Sequence, residues 1–255
     1  MTPQDGAAWV TGASSGIGKA VALKLASEGW TVYATARRQE SLDAVASEVK
    51  GSGEIIPAAG DVTDAARMSE IVDEITASKP LALAILNAGI YAPMRARDFS
   101  AQSAKQMFDV NLTGVTNALE PVLKTMLDAQ NGHVALTASV AGYRGLPGAA
   151  PYSATKAGLI AMGEALAMDL IDENVRISVI NPGFVETDAT SVNEFEMPFL
   201  QSTHEAAEAI VNGLKKPGFE IAFPWIFARI LKTVGLLPNQ AYFWAVRKAT
   251  GWKDV

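Results

Sequence analysis

Apolar residues in this chain follow two alternating patterns. Short, nearly uninterrupted apolar runs predict strands at Ala7–Thr11, Thr31–Ala36, Ile55–Ala59, Leu81–Leu86, Val134–Ala138, Val175–Ile180 and Phe219–Phe223. Leu81–Leu86 is apolar throughout, which suits a parallel sheet covered on both faces. Helical spacing fills the intervals. Ile17 to Glu28 reads as a helix stopped by Gly29. Leu42, Val45, Ala46 and Val49 carry the helical period, and so do Met68, Ile71, Val72 and Ile75. A long helical region runs from Ala101 to Leu127, with Pro121 expected to bend it, and another from Tyr152 to Ile171. Ser202-Thr-His-Glu205 is a capping box that starts a further helix. Alternation of this kind predicts an α/β fold, a doubly wound parallel sheet of the Rossmann type, in a single domain over residues 1–223. Pro224 and Pro238 are each expected as the first residue of a helix, so residues 224–255 form a helical C-terminal segment and not a separate domain.

Composition narrows the picture. The 255 residues suit one large α/β domain, and with 49% apolar residues its core needs no staples. There is no cysteine, which excludes disulfides and thiolate metal sites. The two histidines, His133 and His204, precede a strand and sit in the capping box, so both read as structural or solvated and no metal is expected. MTPQDGAAWV has no basic region and runs straight into a strand, so it does not read as a secretory signal. No uncharged apolar stretch reaches the ~18 residues that a membrane span needs. The expectation is a cytoplasmic protein. Charge is uneven. The net charge is −6, yet Lys215–Val255 carries seven basic residues against Glu220 and Asp254, a balance of +5 that leaves −11 for the rest. An acidic body argues against nucleic acid as a partner.

Three residues carry candidate chemistry. Tyr152 and Lys156 lie four apart on a predicted helix and share one face. A lysine cation beside a phenol favours the phenolate, so Lys156 is expected to pull the Tyr152 pKa below its usual value of ~10. Ser139 adds a hydroxyl that can hold a carbonyl oxygen as it becomes an alkoxide. No G-x-S-x-G elbow surrounds Ser139, which argues against a hydrolase nucleophile. Upstream, TGASSGIG (Thr11–Gly18) lies between a strand and a helix. Gly12 permits a tight turn, Gly16 a close backbone approach to a pyrophosphate, and Gly18 close packing of helix on sheet, while Ser14, Ser15 and Ile17 complete the turn. At the end of the second strand an acidic residue would bind the ribose 2′-hydroxyl of NAD. Ala36 stands there, followed by Arg37 and Arg38, whose guanidinium groups suit a 2′-phosphate. The expected cofactor is therefore NADP (NADPH), with NAD the lesser fit. Together these groups describe hydride transfer to or from a carbonyl.

TGASSGIG, Asp61-Val62, Asn87-Ala88-Gly89, Asn111, Ser139, Tyr152 with Lys156, and Pro182-Gly183 follow one another in an order that resembles the short-chain dehydrogenase/reductase family, in its compact single-domain type, over about residues 6 to 215. The resemblance implies an oxidoreductase that interconverts a ketone or aldehyde and an alcohol, with Tyr152 as general acid or base. It implies that Asp61 contacts the adenine ring with Val62 beside it, and that Asn87 packs near the central strand and the adenosine ribose. Pro182, Gly183, Val185 and Thr187 would hold the nicotinamide carboxamide. Lys156 would also bond the nicotinamide ribose, and Asn111 would hold a water that links the lysine to solvent. Phe184–Gln201, Ala141–Pro147 and Tyr91 to Met94 would line the substrate pocket, with Tyr143, Leu146, Phe184, Phe195, Met197, Phe199 and Leu200 suggesting an apolar substrate. Arg144 reads either as a contact for an acidic substrate group or as an exposed charge. The helix Tyr152–Ile171 would pair with the Asn111 helix across a two-fold axis, giving a homodimer or homotetramer. A non-catalytic NADPH-binding sensor or scaffold on the same fold stays open as the alternative. In residues 224–255, Ile226, Phe227, Ile230, Leu231, Val234 and Leu237 make a wide apolar arc beside Arg229, Lys232 and Trp225. That segment reads as a lid or subunit contact, or as a peripheral membrane contact.

Overall fold

In a computed structural model, residues 1–192 and 197–251 are described; Phe195, Trp252, Lys253 and Asp254 lie outside them. The apolar runs become β1 (Ala7–Thr11), β2 (Thr31–Thr35), β3 (Glu54–Pro57), β4 (Leu81–Leu86), β5 (Gly132–Thr137), β6 (Val175–Pro182) and β7 (Glu220–Phe223). All pair in parallel, in the order β3-β2-β1-β4-β5-β6-β7. The order reverses between β1 and β4, and ligand crevices in such sheets open at that switch, beyond the strand C-termini.

Side chains alternate across the sheet and are buried on both faces. Ala8, Val10, Val32 and Ile85 pack under α1 (Gly16–Ser27), α2 (Gln39–Ser47) and α7 (Thr203–Leu214). Trp9, Tyr33, Leu86 and Leu136 pack under α3 (Ala65–Ser78), α5 (Gly114–Asp128) and α6 (Ala150–Asp169). The capping box forms as read: the Ser202 hydroxyl accepts the Glu205 N–H at 3.2 Å, and the Glu205 carboxylate accepts the Ser202 N–H at 2.8 Å.

Three departures from the sequence pattern have local causes. The helical stretch predicted from Ala101 to Leu127 is interrupted, but not at Pro121, which lies inside α5. The interruption is a π-helical turn at Asp109–Thr113, between α4 (Ala101–Phe108) and α5. The wider turn carries Asn111 into the interior, where it is fully buried. Strand β6 runs on to Pro182 because β7, distant in sequence, pairs with it there. Pro224 and Pro238 each stand one position before their helices, α8 (Trp225–Gly235) and α9 (Asn239–Thr250).

Candidate active site

At the end of β1 the chain turns into α1 with its backbone pressed against β4. Gly12 has φ +69°, and a Cβ there would lie 2.8 Å from the Ala88 Cα. A Cβ on Gly18 would lie 2.3 Å from the Gly12 carbonyl oxygen. Thr11, not singled out in the sequence, stitches the two strands. Its hydroxyl accepts the N–H groups of Asn87 (2.9 Å) and Ala88 (3.1 Å), while the Asn87 amide donates to the Thr11 carbonyl (3.2 Å). Ser15 occupies the N-cap of α1 without a side-chain cap bond, and no acidic residue stands in the first turn. The outward N–H groups and the positive helix end are thus left for an anion, beside Ser14, Gly16 and Ile17.

Other predicted residues gather around the same edge. Arg37 and Arg38 are exposed just past β2. The Asp61 carboxyl is held below its usual pKa chiefly by the Thr63 N–H at 2.9 Å, and further by the Thr63 hydroxyl and the Arg37 charge. Val62 is buried, and its carbonyl accepts the Asn117 amide at 2.9 Å. Pro182 ends β6, Gly183 donates its N–H to the Phe223 carbonyl at 2.7 Å, and Val185 is buried. Thr187 closes on the glycine turn, its methyl 3.2 Å from where a Gly16 Cβ would stand.

Asn111, Ser139, Tyr152 and Lys156 meet at the C-terminal ends of β4 and β5. The Asn111 side-chain oxygen accepts the Ile90 N–H (2.7 Å), and its amide donates to the Ile90 carbonyl (2.9 Å) and the Thr155 hydroxyl (3.2 Å). This amide therefore ties the π turn to the segment after β4 and to α6. Ser139 accepts the Ala141 N–H at 3.1 Å and faces Tyr152, where it favours the phenolate. Tyr91 packs edge-on against Tyr152, with ring centroids 4.9 Å apart. Lys156 is buried and donates to the Thr137 carbonyl at 2.8 Å.

One electrostatic expectation is corrected. Burial pushes Tyr152 up to about 12, against the opposing pull of Ser139, so its pKa stands above the usual value and not below it. The lysine is itself desolvated. Its ammonium stands 5.6 Å from the Tyr152 ring, and burial depresses its pKa to about 8.

Gly89 leaves room for a dinucleotide at this edge. A Cβ there would stand 3.3 Å from the Asn111 oxygen and 3.4 Å from the Lys156 nitrogen. The missing side chain leaves a slot beside a cation, at the same sheet edge as the uncapped helix end. The residues present fit the group.

The sequence model of the short chain dehydrogenase family matches residues 6–197. The chain belongs to that family. It is an oxidoreductase of the short-chain dehydrogenase/reductase type. It is similar to an uncharacterized oxidoreductase of Myxococcus xanthus, at 38% identity over 94% of this chain and 96% of that protein. It is also similar to the 3-oxoacyl-(acyl-carrier-protein) reductase FabG of Thermotoga maritima, at 36% identity over 71% of this chain and 74% of that one. Among solved structures, a short chain dehydrogenase from Burkholderia cenocepacia in complex with NADP superposes with a TM-score of 0.83, covering 96% of this chain and 99% of that chain. Its 23% identity makes that a likeness of fold. A variant of actinorhodin polyketide ketoreductase with NADPH superposes with a TM-score of 0.77 at 27% identity, over 88% of this chain and 97% of that one.

Several residues of this short-chain dehydrogenase gain roles that its sequence did not announce. Arg144 is engaged by the C-terminal segment. It donates to the carbonyls of Gly235 and Leu237 at 2.7 Å each, bonds Asn239, and lies 4.0 Å over the Tyr242 ring. Glu220 accepts from the Tyr143 hydroxyl (2.6 Å) and the Asn181 amide (2.7 Å), and pairs with Lys232. These bonds fasten α8 and α9 to the segment that follows Ser139. His133 is structural, as expected. It bonds Ser178 and Arg176 at 2.9 Å each, and burial holds its pKa down at about 3, so it is neutral.

Proposed function

We propose that this chain interconverts a ketone or aldehyde and its alcohol, with NADP as cofactor. The observation that carries the reading is the meeting of Ser139, Tyr152 and Lys156 beside the Gly89 slot. Bound there, NADPH would supply the hydride. The chain's own residues do the rest. Ser139 holds the carbonyl oxygen. Tyr152 gives that oxygen its proton, and the phenolate recovers one from solvent; the oxidation runs the same transfer backwards. At neutral pH the Tyr152 phenol keeps its proton, the form that reduction requires. Gly12, Gly16, Gly18, Ser14 and Ser15 would hold the phosphates, Asp61 and Val62 the adenine side, and Pro182 to Thr187 the nicotinamide side. Tyr143, Phe184 and Phe199 give the acceptor side an apolar lining. The test is NADPH absorbance with a panel of acyl, steroid and sugar ketones. NADPH binding with no turnover on any of them would favour a sensor or scaffold.

Cofactor choice is supported by Ala36 in place of an acid, by the two exposed arginines beyond it, and by NADPH in the ketoreductase neighbour at 27% identity. Replacing Ala36 with Asp and Arg37 with Ala is expected to shift the kcat/KM ratio toward NAD by ~10-fold or more, because a carboxylate bonds the 2′-hydroxyl and repels a 2′-phosphate. An unchanged ratio would make Arg37 a surface residue only.

The same reading includes a homodimer or homotetramer. On α6, Ala154, Ala157, Ala161 and Ala165 are exposed small residues on a helix that can approach a second copy closely. Light scattering at micromolar concentration is expected to return a multiple of the chain mass; a monomer would refute this.

A further inference from the structure

The C-terminal apolar arc is wider than the protein beneath it. Phe227 and Ala228 face inward, where Phe227 packs on Phe184 and Phe199 with ring centroids 5.8 and 5.6 Å apart. On α9, Tyr242 and Val246 are the inward residues. The rest of the arc is left outside. Trp225 is 61% exposed, with Ile226 and Ile230 beside it on α8; Leu236 is 86% exposed at the joint; Phe243 and Trp244, the latter 65% exposed, continue on α9. Each exposed indole carries a cation. Arg229 lies 5.3 Å over Trp225, and Lys248 lies 5.1 Å over Trp244. Residues 224–251 contain four cations and no carboxylate, although the whole chain carries −6.

We propose that the outer face of α8 and α9 docks on an anionic phospholipid bilayer, with both helices lying in the headgroup layer. Indoles and cations are amphipathic partners at that depth, because the ring can sink toward the acyl chains while the charge meets phosphate. No helix among the described residues is long and apolar enough to cross a membrane, so the contact is with the surface. Charge selects lipid over a second copy. A two-fold contact would bring the cations of one copy's face toward those of the other, with no carboxylate among the described residues of α8 and α9 to neutralise them. The acidic remainder of the chain is repelled by an anionic surface, which turns this face toward it.

The experiment is co-sedimentation of the full chain with vesicles. One set is phosphatidylcholine alone, and the other is phosphatidylcholine with one third phosphatidylglycerol. Binding is expected on the second set at low salt, with a blue shift of tryptophan emission, and is expected to weaken as salt rises. Trp225→Ser with Trp244→Ser should cut the bound fraction's partition coefficient by ~10-fold or more. Arg229→Gln with Lys248→Gln should lower binding to the anionic vesicles and weaken its salt dependence. Both pairs are exposed and outside the acceptor cleft, so turnover of a soluble ketone serves as the control for folding. A full chain that stays in the supernatant with anionic vesicles at low salt overturns the proposal. So does a tryptophan pair that lowers the oligomeric mass while leaving vesicle binding unchanged, since the face would then be a contact between copies.

Discussion

Tyr152→Phe is expected to lower turnover by ~100-fold or more, the usual scale for loss of a general acid, while NADPH binding is unchanged. The substitution removes one oxygen and keeps the ring. The edge contact with Tyr91 at 4.9 Å therefore survives, and so does the packing of α6 around it. Ser139 still bonds the Ala141 N–H, so the segment beyond β5 keeps its cap. What is lost is the proton and the hydroxyl that faces Ser139. The fall should appear in kcat with little change in the cofactor's Kd, as for an interaction made in the transition state. Wild-type turnover in this variant would sink the assignment.

Lys156→Met is expected to move activity and stability in opposite directions. Turnover should fall by ~100-fold or more, since orientation of the reacting groups and charge near the phenol are both lost. Stability of the cofactor-free chain should rise. Burial depresses the Lys156 pKa from 10.5 to about 8. Between those values the unfolded chain binds a proton that the folded chain has released, so stability climbs with pH across the window. Below about pH 8 the folded chain carries a buried ammonium, at a penalty of order 3 kcal/mol relative to an unperturbed lysine. Loss of the bond to the Thr137 carbonyl returns about 1 kcal/mol of that gain. The check is denaturant unfolding of both proteins at about pH 7 and pH 9, below the range where the raised tyrosines favour unfolding. Wild type should gain stability between the two pH values, and the variant should start higher and stay level. Parallel curves would mean that Lys156 is not desolvated in solution.

What could be read from the sequence was what local spacing encodes. Leu81–Leu86 is strand β4 to the residue, because an unbroken apolar run between polar flanks has few other uses. The pairing of Tyr152 with Lys156 on one helix needed only the helical period. The direction of the Tyr152 shift did not follow, since desolvation depends on elements far along the chain. Thr11 escaped notice because a threonine ending a strand is ordinary until its hydroxyl is seen to accept two N–H groups from the segment after β4. The side-chain bonds of Asn111 to Ile90 and Thr155 were likewise illegible, since they depend on the π turn that brings the residue inside. The roles of Glu220 and Arg144 gave no signal. Tyr143 lies 77 residues from Glu220, the partners of Arg144 lie more than 90 residues from it, and nothing periodic links such positions.

The clamp made by Arg144 and Glu220 divides the labour of the chain along its length. The groups proposed for chemistry, Ser139, Tyr152 and Lys156, lie before Gly183 and within the family match over residues 6–197. The tail that follows is held by side chains that include Arg144 to Gly235, Leu237 and Asn239, Glu220 to Lys232, and Tyr242 to Gly145. Loss of the Arg144 guanidinium would therefore loosen α8 and α9 while leaving the glycine turn and the π turn at Asn111 in place.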